Sequence, residues 1–155
     1  MNNELSTSQV TIRLATPEDL AQIEHLDSLS NSPTRHIHRE VEKYFGSIDP
    51  STHEHTFIFL AELQQQAVGK AELMVPPDDA AASVGYIKRV IVHPDFRSRG
   101  ISRQVMQHIV TFARAELHLS ALDLHVWENN LPAIHLYEAL GFALQHRELY
   151  YHLEL

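Results

Sequence analysis

Val90-Ile91-Val92-His93-Pro94-Asp95-Phe96-Arg97-Ser98-Arg99-Gly100-Ile101-Ser102 joins a strand end to a helix start through a short basic turn. The run from Val84 to Val92 is rich in β-branched residues and stops at His93-Pro94, since proline disfavours helical geometry at the residue before it and cannot extend a central ladder. Beyond the turn, Ile101, Val105, Ile109, Phe112 and Leu117 fall on one face of an amphipathic helix predicted from about Gly100 to Leu117. Free amides and partial positive charge at that helix start, with the side chains of Arg97 and Arg99, suit a diphosphate, and Gly100 leaves room for close approach to the backbone. A solvated basic turn before an ordinary helix fits the same residues. Neither the Walker spacing of glycines with Lys-Ser/Thr nor the three-glycine dinucleotide fingerprint occurs.

Upstream, Val10, Ile12 and Leu14 alternate with polar residues as a first strand, and Thr16-Pro17-Glu18-Asp19 marks a helix start. Leu20, Ile23, Leu26 and Leu29 give that helix its apolar stripe; Asn31-Ser32-Pro33 interrupts it before a second helical stretch through about Phe45. Thr56 to Leu63 and Ala67 to Val75 read as a hairpin about Gln64-Gln65-Gln66, and Pro76 to Ser83 as a loop. Downstream, Leu122, Leu124 and Val126 mark a half-buried strand, and Ala133, Ile134, Tyr137 and Leu140 a helix ended by Gly141. Strand patterns near Phe142–His146 and Leu149–Leu155 complete the order. It predicts one α/β (α+β) domain over 1–155, a mixed sheet with helices on both faces.

Composition bounds the function. The chain has 155 residues, 44% hydrophobic and 21% charged, ordinary for a soluble globular domain, and no apolar run approaches the about 20 residues that span a bilayer. Met1 to Gln9 does not read as a secretory signal, so a cytoplasmic location with no membrane association is the expectation. The formal charge of −8 argues against nucleic acid as a partner. Twelve histidines, among them His36/His38 and His53/His55, raise the alternative of a metal-binding or interaction domain, but they lack zinc-ligand spacing, and no metal is expected. Cysteine is absent, which excludes a cysteine nucleophile.

These motifs resemble those of the GNAT superfamily of acetyl-CoA-dependent N-acetyltransferases. Its cofactor motif, Arg/Gln-x-x-Gly-x-Gly/Ala after a strand ending in Val-x-Pro, is matched by Arg97, Gly100 and Ser102, with Ser102 departing from the usual Gly or Ala. A second motif, Asn-x-x-Ala, then Leu-Tyr, then Leu-Gly-Phe, is matched by Asn130-Leu131-Pro132-Ala133, Leu136-Tyr137 and Leu140-Gly141-Phe142.

The resemblance implies a mostly antiparallel sheet of six to seven strands flanked by about four helices, with strands splayed at the cofactor site. It implies acetyl-CoA as acyl donor, with Arg97, Ser98, Arg99, Gly100, Ile101 and Ser102 at the pyrophosphate and Val90, Ile91 and Val92 along the pantetheine arm. Asn130 and Ala133 would complete the cofactor contacts, and Tyr137 would protonate the departing thiolate. Direct transfer to a primary amine in a ternary complex is the expected reaction.

The base that deprotonates the amine is less marked, because Tyr86-Ile87-Lys88-Arg89 offers cations where many relatives place an acid. Glu72 is the candidate, with His93 and Glu128 behind it. Lys88 and Arg89 point to an amino-acid-like acceptor with a carboxylate or phosphate; protein N-termini and polyamines are alternatives, as is a CoA-binding module without turnover. Exposed strand edges near the C-terminus fit a homodimer.

Overall fold

The computed structural model describes residues 9–45, 48–77 and 83–155. Residues 1–8 of the segment from Met1 to Gln9 that was read for a secretory signal, and residues 78–82 of the expected loop, lie outside the described residues. The chain forms two compact units, Met1–His125 and Val126–Leu155.

In the first unit β1 (Thr11–Leu14), β2 (His55–Leu63), β3 (Gln66–Val75), β4 (Val84–Val92) and β5 (Ala121–Leu124) make one sheet in sequence order. The first three pairings are antiparallel and β4/β5 is parallel, so the mixed, mostly antiparallel sheet is as expected. The β2/β3 hairpin closes on Gln64 and Gln65, both at positive φ (51° and 64°), the backbone of a two-residue turn whose twist matches the strands.

Two layers cover the sheet. On one face, Ile23 and Leu26 of α1 (Leu20–Ser28) and Tyr44 of α2 (Val41–Tyr44) join Ile37, Ile58, Leu60 and Ile91 in a buried cluster. The Asp19 carboxylate accepts the Thr16 amide at 2.8 Å at the entry to α1, and the first turn, Pro17–Asp19, is a 3₁₀ helix. On the other face, α3 (Ile101–Ala115) buries Val105, Met106 and Ile109, and its Phe112 ring meets Phe57 and Phe59 edge to face at 5.3 and 5.2 Å. Gly69 admits the start of α3: a Cβ there would stand 3.1 Å from Ile101 and 3.2 Å from the Ile91 carbonyl.

The second unit contains α4 (Leu131–Ala139), with Pro132 in its first turn, followed by residues 140–155. Among the described residues there are five strands rather than six to seven, because 142–146 and 149–155 enter no ladder. Strand preference expresses fit to a half-buried pleated surface, and this segment does not find one: Leu144, Leu149 and Leu153 are 66%, 80% and 79% exposed. Among the described residues three α-helices, α1, α3 and α4, exceed a single turn and α2 is one turn only, so the helix count, like the strand count, falls slightly below the expected number. None of the described helices is long and apolar enough to cross a membrane.

Candidate active site

The centre of the site is an irregularity in β4. Lys70 pairs with Ile91 and Glu72 with Lys88, so two steps along β3 face three along β4, and the extra residue makes a bulge opposite Ala71. Arg89 within it has φ 52°, a left-handed conformation that costs a non-glycine residue about 1–2 kcal/mol. Its guanidinium Nη2 donates to the Pro33 carbonyl at 2.9 Å, which fastens the bulge to the segment after α1. On the other side, β5 pairs with Val84 to Ile87 and no further, so among the described residues of the unit the β4 edge from Lys88 to Val92 has no strand partner on that side. Within the unit, Val90, Ile91 and Val92 therefore present a strand edge that an extended ligand arm can pair with.

This edge leads into the basic turn. Pro94–Phe96 is a 3₁₀ turn capped by His93, whose Nδ1 accepts the Asp95 amide at 3.1 Å. Arg97, Ser98, Arg99 and Gly100 are exposed, and Ser98 and Gly100 have positive φ of 63° and 74°. Gly100 is the N-cap residue of α3, and a Cβ on it would meet nothing within 4 Å, so glycine serves both the backbone turn and an open surface. Ile101 and Ser102 begin the helix, where first-turn amides lack intrahelical acceptors. The Arg99 guanidinium lies 5.1 Å from the Phe96 ring centre, and among the described residues neither Arg97 nor Arg99 forms an ion pair. Two cations without a carboxylate partner, open backbone and a helix start supply the charge and donors that an anion requires, on an acidic chain.

Behind the bulge, four charges sit together, two of them fully buried. Lys70 and Glu72 are fully buried, with the Lys70 ammonium 2.5 Å from Glu72 Oε2 and 2.8 Å from Asp27 Oδ1. Arg35 closes the ring, bonding Asp27 through Nε at 3.0 Å and Glu72 through Nη1 at 2.7 Å and through Nη2. Burial raises the Glu72 pKa, but the Arg35 hydrogen bond and the field of Lys70 outweigh it and hold the carboxyl down at about 2. A carboxylate so held is a weak base with its oxygens already engaged, so in this arrangement Glu72 is a structural anchor. The two other base candidates are also placed: His93 uses Nδ1 in its cap, and Glu128 is a surface side chain 3.5 Å from Arg147. The Asp27–Arg35 half of the ring spans a loop from α1 and carries no local signal in the sequence.

In the second unit, Asn130 caps α4, its Oδ1 accepting the Ala133 amide at 3.4 Å; the Asn-x-x-Ala spacing is that of a helix cap. Tyr137 is buried, with Phe142 6.0 Å from its ring, and burial raises its pKa, so the phenol keeps its proton and is a donor at neutral pH.

Residues 20–142 match the model of the acetyltransferase (GNAT) family. The chain belongs to that family. It is 26% identical over 125 residues to a spermidine N(1)-acetyltransferase of Vibrio cholerae, covering 77% of this chain and 60% of that relative. It is 28% identical over 96 residues to a glucosamine 6-phosphate N-acetyltransferase of Trypanosoma brucei brucei, covering 61% of this chain and 63% of that relative. The chain thus spans less than two thirds of the length of either relative. The solved structure of AAC(6')-Iy in complex with the bisubstrate analogue CoA-S-monomethyl-acetylneamine superposes with a TM-score of 0.75, at 19% identity, over 96% of this chain and 100% of that one, which is a likeness of fold.

The ring sets an acid limit on this GNAT chain. Because the Glu72 pKa is lowered on folding from 4.5 to about 2, its stabilisation is complete above about pH 4.5 and is lost as pH falls toward 2. Glu72→Gln leaves Lys70 and Arg35 with one carboxylate between them and should cost about 3–5 kcal/mol near pH 7. Urea unfolding from pH 7 to 3 measures both: the variant loses the Glu72 share of the slope below pH 4.5 and so falls less steeply than the parent, and equal stability of the two proteins at pH 7 would contradict the role assigned to the ring.

Proposed function

We propose that this chain transfers the acetyl group of acetyl-CoA to a primary amine by direct attack in a ternary complex. The observation that carries the reading is the unpaired β4 edge at Val90–Val92 running into the open, cationic turn at Arg97–Ser102, inside the span that matches the family. Arg97, Ser98, Arg99 and Gly100, with the free amides of Ile101 and Ser102, take the pyrophosphate; the backbone of Val90, Ile91 and Val92 takes the pantetheine arm as an added strand.

In the transfer, the amine nitrogen bonds to the thioester carbonyl carbon, and the resulting oxyanion is stabilised by a strand amide at Val90. The carbon–sulfur bond then breaks, and Tyr137 gives its proton to the departing thiolate, a role that its protonated, buried phenol supports. Asn130 and Ala133 hold the start of the helix that carries Tyr137. Attack requires an unprotonated amine. Glu72 contributes by position, keeping Lys70 and Arg35 beside the bulge, and the proton leaves through another acceptor, water included.

The engagement of Glu72 favours one further reading, a CoA-binding module without turnover. Calorimetric titration with acetyl-CoA, followed by thiol release with an amine panel, separates the two. The proposal expects one ligand per chain, an affinity about tenfold or more weaker for the Arg97→Ala, Arg99→Ala variant, and thiol release with at least one amine. No binding to the folded protein would refute the proposal; binding without release from any amine would select the module.

Replacing Tyr137 by Phe tests the chemical step on its own. Turnover should fall by about 10²-fold or more with acetyl-CoA affinity little changed, since only the transition state loses the proton donor. Unchanged turnover would remove Tyr137 from the reaction.

A further inference from the structure

The charged face of β3 and β4 contains one cation whose surroundings differ from the rest. Lys70 and Arg35 each touch both Asp27 and Glu72, and Arg89 bonds Pro33 and lies 3.9 Å from Asp27. Lys88 stands next to them, directly across from Glu72 in the ladder, yet its ammonium reaches neither carboxylate. Its polar contact among the described residues is the Met74 sulfur at 3.9 Å, a weak acceptor. The side chain is half-buried, and an ammonium removed from water without a carboxylate or hydrogen-bond acceptor is costly.

The surroundings sharpen the point. Before Lys88 is counted, three cations (Lys70, Arg35, Arg89) share two carboxylates (Asp27, Glu72), so the neighbourhood is already positive on a chain whose formal charge is −8. Burial lowers the Lys88 pKa, Arg35 and Arg89 lower it further, and Glu72 and Glu54 oppose them. Among the described residues, no carboxylate comes within ion-pair distance of the Lys88 ammonium. Lys88 also begins the stretch of β4 left unpaired by β5, immediately before the bulge and the edge assigned to the acyl donor.

We infer that Lys88, backed by Lys70, Arg35 and Arg89, binds an anionic group, a carboxylate or a phosphate, carried by the amine that accepts the acetyl group. The inference rests on the acetyl-transfer reading and narrows its acceptor: amines bearing an anion are favoured, and polycationic amines are repelled by the surplus of cations. Arg89, to which the sequence assigned the same task, holds the bulge instead.

The test reads Lys88 itself. With lysine side chains isotopically labelled and CoA present to fill the pyrophosphate turn, the Lys88 ammonium resonance, identified by its loss in Lys88→Met, is titrated with inorganic phosphate and separately with acetate. An anion held by Lys88 should move that resonance saturably and raise its titration midpoint by about one unit, and the more effective ion tells phosphate from carboxylate. In a paired assay, the ratio of kcat/KM for glucosamine 6-phosphate over glucosamine should exceed one and fall about tenfold in Lys88→Met, with spermidine a poor acceptor. A resonance unmoved by either ion in the folded protein, or a preference for spermidine that Lys88→Met leaves intact, would overturn the inference. Absence of turnover with every amine would count against acetyl transfer, while the resonance would still report whether Lys88 binds an anion.

Discussion

The ring of Asp27, Arg35 and the buried pair Lys70 and Glu72 is the constraint on which the site depends. It joins the end of α1 and the segment after it to the middle of β3, opposite the point where β4 gains its extra residue. Charges out of water add little net stability even when fully paired, but breaking one pair is costly, so such a ring fixes geometry more than it adds free energy. Here the geometry fixed is that of the bulge. Arg89 accepts a left-handed backbone while its side chain is tied to Pro33, and β5 ends opposite Ile87, leaving the β4 peptide groups beyond it without a partner strand among the described residues of the unit.

The strand, turn and helix assigned to the donor follow from local rules and were legible in the sequence. The strand ending at Val92, the stop at His93-Pro94, the glycine at the start of α3 and the apolar stripe of that helix are all signals within a few residues of one another. The strand bounds of β4 and the start of α3 stand where the pattern places them. Asn130 illustrates a different case: the family motif marks it as a cofactor contact, and the structure adds a helix cap made by the same side chain.

The acceptor side was not legible, for a physical reason. Glu72 read as a base because a carboxylate on a strand beside the site has the right chemistry; what removes it from that role is Arg35, 37 positions away in the chain, and Lys70 on its own strand face. No periodicity reports such pairs. Neither the positive φ of Arg89 nor those of Gln64 and Gln65 carries the usual glycine or asparagine signature, so both the bulge and the geometry of the hairpin turn were invisible. The C-terminal segment failed in the opposite direction: its alternating apolar residues have strand preference, but 142–155 enter no ladder among the described residues.

The central claim is that the free edge of β4 and the start of α3 together receive the acyl donor. Amide hydrogen exchange with and without saturating CoA tests it residue by residue. The account predicts slowed exchange at Val90 and Val92 and at Ile101 to Arg103, where amides gain acceptors from the ligand. CoA bound in full, with exchange at those amides unchanged, would contradict it.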